Sequence, residues 1–327
     1  MSNIEFFERK IHPTDSNRHL DASRLRSFYE TLATQLFQEF EPTKKVSPRV
    51  SRDFMLRLDN WLDGFTDTED KWIAFKSLEY FLFAGINEFE ELYRYAFEHK
   101  IKHWVVDQAQ IDIFSANVDQ QLSEELEHVW PCPVTDSLRI NGFLHITGLK
   151  GKGLRPDWYS LKTLGSSEKI KSYIDNEDIK YLVLLEDFSG SGGQISRTIR
   201  FACENFTGPI LLIPLIICSK GDKTIREKLT TLPNNIYYDP VVVIPNNCLV
   251  TPQPSLGEPP LFGLLRPVMK KGYDAMAHEL DGEEYGWKKT GSLITMYSNC
   301  PNNTPPIYYN NTPTWNPLFP RSDREVK

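Results

Sequence analysis

Apolar positions recur at helical spacing through the first third of the chain. Leu25, Phe28, Leu32, Leu36 and Phe40 form one stripe in a polar opening of about 50 residues, which breaks around Pro42 and Pro48. Phe54, Leu58, Trp61, Leu62 and Phe65 then share one helical face. Trp72, Phe75, Leu78 and Leu82 share another, as do Ile86, Phe89, Tyr93 and Phe97. These stripes predict a helical region from about 20 to 125, with Trp61, Trp72, Phe75 and Phe89 in its core. Between Val129 and Leu149 the apolar pieces shorten and are separated by Pro131, Pro133 and Gly142, so strands or loops are expected to replace helix.

From Asp178 the period changes again. Ile179 to Leu185 is almost continuously apolar, as expected of a parallel strand covered on both faces. A glycine-rich turn follows, then a helical Gln194 to Asn205, a strand Ile210 to Ile217, a helical Lys223 to Leu232, and a strand region Ile236 to Ile244. This βαβαβ succession predicts an α/β fold with a doubly wound parallel sheet and right-handed crossovers. Ligands of such sheets bind at the carboxyl ends of the strands. The chain therefore divides into a mainly helical region, 1–128, and an α/β domain, 129–327, whose last part, 252–327, reads as an irregular but ordered cover. Its aromatics, including Tyr308, Tyr309 and Trp315, are too numerous for a disordered tail and are expected to pack.

Composition narrows the class. With 40% hydrophobic, 12% aromatic and 25% charged residues over 327 positions, the chain is an ordinary globular one. Its formal net charge of −7 argues against a protein that neutralises many phosphates of duplex DNA. The opening has no basic segment followed by an apolar one, and the longest apolar run, Pro209 to Cys218, is too short to span a bilayer, so a cytoplasmic protein without a membrane partner is expected. Five cysteines without a CxxC pair suggest neither a disulfide framework nor a zinc site. The triplets Asn302-Asn303-Thr304 and Asn310-Asn311-Thr312 then read as turns. His99 and His103, at i and i+4, fit the favourable charge at a helix C-terminus better than zinc, since no HExxH glutamate accompanies them.

The chemistry concentrates in Leu184-Leu185-Glu186-Asp187-Phe188-Ser189-Gly190-Ser191-Gly192-Gly193-Gln194. An apolar strand ends in two carboxylates, and a turn of glycines and serines opens a helix. Glycines permit positive φ and close backbone approach. Serine hydroxyls and amide N–H groups at a helix N-terminus suit a phosphate. Carboxylates behind them would accept bonds from sugar hydroxyls or face a hydrated Mg²⁺. The pattern fits a ribose 5-phosphate with a metal nearby. The bland alternative is a tight strand-to-helix turn with solvated carboxylates.

This segment resembles the motif with which type I phosphoribosyltransferases bind 5-phosphoribosyl 1-pyrophosphate (PRPP): a buried strand, two acids, then a Thr/Ser-Gly-Gly loop. It reads Glu-Asp-Phe-Ser-Gly-Ser-Gly-Gly where Asp-Asp-x-x-Thr-Thr-Gly-Gly is usual, which shifts the loop towards serine. The resemblance implies that Glu186 and Asp187 align the ribose 2- and 3-hydroxyls, act in catalysis and face Mg²⁺. It implies that Ser189, Gly190, Ser191, Gly192, Gly193 and Gln194 hold the 5-phosphate. Val134-Thr135-Asp136-Ser137 falls where these enzymes place a pyrophosphate loop, or is a simple turn or N-cap. Lys150, Lys152 and Arg155 lie in a basic glycine-rich stretch that either closes over pyrophosphate or is a solvated loop. With its helical front and its Asn-Asn-Thr-Pro-Pro-Ile and Trp-Asn-Pro-Leu-Phe-Pro-Arg ending, the chain further resembles phosphoribosyltransferase-like proteins of bacterial conflict systems, some of which accompany retron reverse transcriptases. The resemblance implies an antiviral effector that binds PRPP or a phosphoribosyl nucleotide with Mg²⁺. Implied partners are a reverse transcriptase–nucleic acid complex or other defence proteins. The alternative is an inactive binding module or sensor on the same fold.

Overall fold

The computed structural model describes residues 1–9, 17–44, 50–149, 158, 163, 165–232, 235–276 and 283–322. They form two compact units, Met1–Ile86 with Pro245–Lys327, and Asn87–Ile244. The division at 128/129 separates residues by element type, whereas compactness groups the helices after Ile86 with the sheet and the C-terminal segment with the opening helices.

The first unit begins with α1 (Asn3–Glu8), α2 (Arg18–Gln35), α3 (Phe54–Leu62), α4 (Thr68–Ser77) and strand β1 (Leu82–Ala84). The α3 stripe is buried as its spacing predicts, and the Asp53 carboxylate caps the helix by accepting from Leu56 N at 2.7 Å. Leu82, read as part of a helical stripe, instead opens β1.

The second unit opens with α5 (Ile86–Tyr95), whose first residue belongs to the other unit, a π-helical turn (Ala96–Ile101), α6 (Lys102–Ala109) and α7 (Val118–Leu126). His99 and His103 lie exposed inside this helical run, not at its C-terminus. Then follow β2 (Val129–Pro133), α8 (Ile140–Thr147), α9 (Ser167–Asn176), β3 (Tyr181–Ser189), α10 (Gly193–Asn205), β4 (Ile210–Cys218), α11 (Ser219–Leu229), β5 (Ile236–Tyr238) and β6 (Val242–Ile244). All strand pairs are parallel, in the order β2-β3-β4-β5 with β6 also on β4. The α/β fold with a parallel sheet and an N-terminal helical region is thus as the sequence predicts.

Sequential strand order with right-handed crossovers sends the crossover helices to one face. Ile170 and Tyr173 of α9, Ile195, Ile199 and Ala202 of α10, and Ile225 of α11 indeed pack with Leu182, Leu184, Ile210 and Leu212. The other face is met by helices that precede β2: the Trp104 ring lies 5.8 Å from that of Tyr181 and 5.9 Å from that of Tyr237. Both faces are covered, which explains the continuous apolar character of β3 and β4.

Four local readings are corrected. The 129–149 stretch contains helix α8, which tolerates Gly142 and ends on Gly148 at φ +70°. β3 runs on to Ser189 and so includes Glu186 and Asp187. The helix after β4 starts at Ser219, directly at the strand end. Ile236 to Ile244 is two short strands parted by Asp239-Pro240, since proline has no N–H for the ladder.

The chain then returns to the first unit as α12 (Pro260–Met276), a 17-residue helix, and β7 (Ile294–Met296), which pairs in parallel with β1. The segment 252–327 is therefore more than an irregular cover. Pro259, Pro260 and Pro267 mask α12 in the sequence, although Pro260 sits at the first helical position, where no N–H is needed. Tyr308 and Trp315 are buried as expected: the Tyr308 hydroxyl is 2.7 Å from Ser77 Oγ, and Trp315 Nε1 donates to Ile307 O at 2.9 Å. Asn303, in one of the two triplets, is a buried turn residue whose amide donates to Thr290 Oγ1 at 3.0 Å. No helix among the described residues is long and apolar enough to cross a membrane.

Candidate functional site

The candidate residues gather at the carboxyl end of the second unit's sheet. β2 and β3 are held in register from Val129↔Tyr181 to Pro133↔Leu185, and Val134 N donates to Leu185 O at 2.7 Å. This carries the turn Val134-Thr135-Asp136-Ser137 alongside Glu186 and Asp187, some 50 residues later in the chain.

Both acids are buried, Glu186 at 1% exposure and Asp187 at 3%, so the reading of solvated carboxylates is set aside. A buried carboxylate is tolerable only with donors. Thr135 Oγ1 donates to Glu186 Oε2 at 3.0 Å, and Ser137 Oγ donates to Asp187 Oδ1 at 2.8 Å. Phe188 N also donates to Asp187 Oδ1, at 2.7 Å. The two hydroxyls are themselves 2.5 Å apart. Because β3 continues through both acids, the pleat would send successive side chains to opposite faces. The turn nevertheless draws both carboxylates to one hydroxyl pair. Asp136, between the two donors, is exposed.

The glycine-serine loop follows at once. Gly192, the N-cap of α10, has φ +76°, a conformation that costs glycine nothing. Ser189 and Ser191 are 8% and 9% exposed, and neither hydroxyl has a hydrogen-bond partner among the described residues. Gly190 and Gly192 are buried, Gly193 is half-buried and Gln194 is exposed on the first turn of α10. The first turn of α11 closes on the loop: a Cβ on Gly192 would lie 3.0 Å from Gly221 O, and one on Gly221 would lie 3.0 Å from Gly190 O. The amino ends of α10 and α11 thus approach each other, and the positive ends of two helix dipoles converge there. Cys218, at the end of β4, is no nucleophile in this setting, because burial pushes its thiol up to about 12.

Lys150, Lys152 and Arg155 lie outside the described residues. Among the described residues no group of three or more His, Cys, Asp or Glu could hold a metal. Two carboxylates suit Mg²⁺ only with phosphate or water completing its shell, the usual arrangement for that ion. Three participants are not singled out as such by the sequence. The hydroxyls of Thr135 and Ser137 sit in a segment legible only as a turn or pyrophosphate loop, and Gly221 reads as the boundary of an apolar run. The signal for Gly221 is its place two residues inside a helix that follows a parallel strand directly.

A parallel sheet with an acid pair and a glycine-serine helix start at its carboxyl edge is the arrangement expected of a phosphoribosyltransferase-like protein, and the family match shows that class. The chain belongs to the PRTase-CE family, whose profile matches residues 58–321 and so takes in the whole candidate site. Curated proteins and solved structures give no significant match.

Proposed function

We propose that the second unit binds a phosphoribosyl ligand, PRPP or a phosphoribosyl nucleotide, together with Mg²⁺. One observation carries this reading: Ser189 and Ser191, both buried and with hydroxyls lacking a partner among the described residues, lie just before the positive-φ Gly192 at a helix start, directly after a buried acid pair and Phe188. Such hydroxyls and the first amides of α10 are suited to a 5-phosphate. Glu186 and Asp187 would orient the ribose through their carboxylate oxygens and would hold the metal. When bound, Mg²⁺ supplies charge neutralisation on pyrophosphate oxygens. The acids, fixed by Thr135, Ser137 and Phe188 N, favour positive charge developing at the anomeric carbon.

The test is thermal unfolding with PRPP and Mg²⁺, since a ligand of the native state raises the midpoint. The wild type is expected to gain several degrees and Asp187→Asn to lose most of that gain. The absence of a shift with any phosphosugar, or an equal shift in Asp187→Asn, would count against the site. Pyrophosphate release with candidate nitrogen nucleophiles then separates an enzyme from a binding module. The engagement of both acids by the protein's own hydroxyls favours the module as second reading. A role in antiviral defence beside a reverse transcriptase, a nucleic acid or another defence protein extends the resemblance, and co-purification from the native host tests it.

A further inference from the structure

The acid pair already holds two hydroxyls. Oxygens run in one chain, Glu186 Oε2 to Thr135 Oγ1 at 3.0 Å, Thr135 Oγ1 to Ser137 Oγ at 2.5 Å, and Ser137 Oγ to Asp187 Oδ1 at 2.8 Å. Each carboxylate accepts from one hydroxyl, and the hydroxyls are as close as two on neighbouring carbons of a sugar ring. A vicinal diol laid across Glu186 and Asp187 would make the same contacts. Thr135 and Ser137 come from a single three-residue turn whose middle residue, Asp136, is exposed, so one local change of backbone would withdraw both together.

We propose that the Thr135-Asp136-Ser137 turn is an internal stand-in for a ribose diol: it occupies the diol subsite at rest and must withdraw for a ribose phosphate to bind. The inference rests on the ligand class proposed above and adds a self-inhibitory contact to it. It has two physical consequences. Each buried carboxylate keeps a hydroxyl donor when no ligand is bound, which reduces the cost of leaving it unsatisfied. The apparent affinity for a ribose ligand falls by the fraction of molecules in which the turn has withdrawn. A sugar lacking one hydroxyl must displace the same turn, so the contact weakens both sugars by one common factor.

The experiment compares ribose 5-phosphate with 2-deoxyribose 5-phosphate, in the presence of Mg²⁺, by calorimetric titration of the full chain and its Thr135→Val/Ser137→Ala variant. The variant is expected to melt lower without ligand, yet to bind ribose 5-phosphate at least about tenfold more tightly, the factor equivalent to about 1.4 kcal/mol. The deoxy sugar is expected to gain by the same factor, since both ligands need the turn withdrawn. If the wild type binds ribose 5-phosphate and the variant binds it equally or more weakly, the stand-in is wrong while the phosphoribosyl site survives. Should neither bind, both readings fail, because removing the turn's hydroxyls ought to bare the subsite. Ser137→Ala alone, which keeps the Thr135–Glu186 bond, gives the same comparison if the double variant does not fold.

Discussion

Gly192 joins two demands in one residue: a φ of +76° and a surface that would place any Cβ 3.0 Å from Gly221 O. Gly148 meets only the first, with φ +70° and nothing within 4 Å of a built Cβ. Gly192→Ala should therefore cost more stability than Gly148→Ala, by about 1–3 kcal/mol for the displaced α11 contact. Urea unfolding of the two variants measures the difference, and equal costs would show that α11 does not clamp the loop. Thiol chemistry gives a second test at this scale. Burial pushes the Cys218 and Cys300 thiols up to about 12, while Cys248 is exposed. An alkylating reagent at about pH 8 should label Cys248 in the native protein and spare Cys218 and Cys300, as peptide mass mapping would reveal. The sequence announces the residue types of the site, because the acid pair and the Ser-Gly-Ser-Gly-Gly donors stand together in one short segment. It is silent on the partners of the buried acids, Thr135 and Ser137, donors that no local pattern ties to residues 50 positions away.

Elements were legible where one period rules and hidden where the chain breaks its own rule. The apolar runs of β3 and β4 declare themselves because helices cover both faces of the sheet. Helix α12 does not, because Pro267 interrupts it: proline lacks the N–H that a helix interior uses. Tertiary contacts compensate. Arg266 of α12 donates from both terminal nitrogens to Glu258, at 2.7 and 2.6 Å, and its Nε donates to Thr251 O at 2.7 Å, so the helix is pinned to the segment before it. The Arg266 hydrogen bonds, followed by that from Ser255 N, hold the Glu258 carboxyl below its ordinary value of 4.5, against a smaller opposing effect of burial. A carboxyl whose folded pKa lies below its unfolded one contributes stability above the unfolded value, and the contribution is lost as pH falls through the folded one. The stability difference between the wild type and Glu258→Gln should accordingly be largest near neutral pH and shrink below about pH 4.5. Unfolding titrations across that range check the sign. A difference that stays constant with pH would mean that the pair contributes geometry and no charge.

At the scale of the whole molecule, the sequence reveals element types better than it reveals which distant segments share a core. The C-terminal aromatics were recognisable as packed residues, but composition could not say that they complete the unit begun by residues 1–86. Trp315 shows why. Its ring lies 4.9 Å from that of Phe65, its Nε1 donates to Ile307 O, and its edge fills the space beside Gly64 and Gly272, where built Cβ atoms would come within 3.0 and 3.1 Å of it. Gly64 and the indole match one another across 251 residues of chain and Gly272 across 43, and pairwise shape complementarity leaves no periodic trace in either segment. Trp315→Ala should empty that space and cost about 3–5 kcal/mol, the range for truncating a buried aromatic. Leu256, fully exposed in the same unit, supplies the control, since Leu256→Ala should change stability by less than about 0.5 kcal/mol. If both substitutions left the urea midpoint unmoved, the ending would be a surface strap, and residues 1–86 would have to hold their core without it.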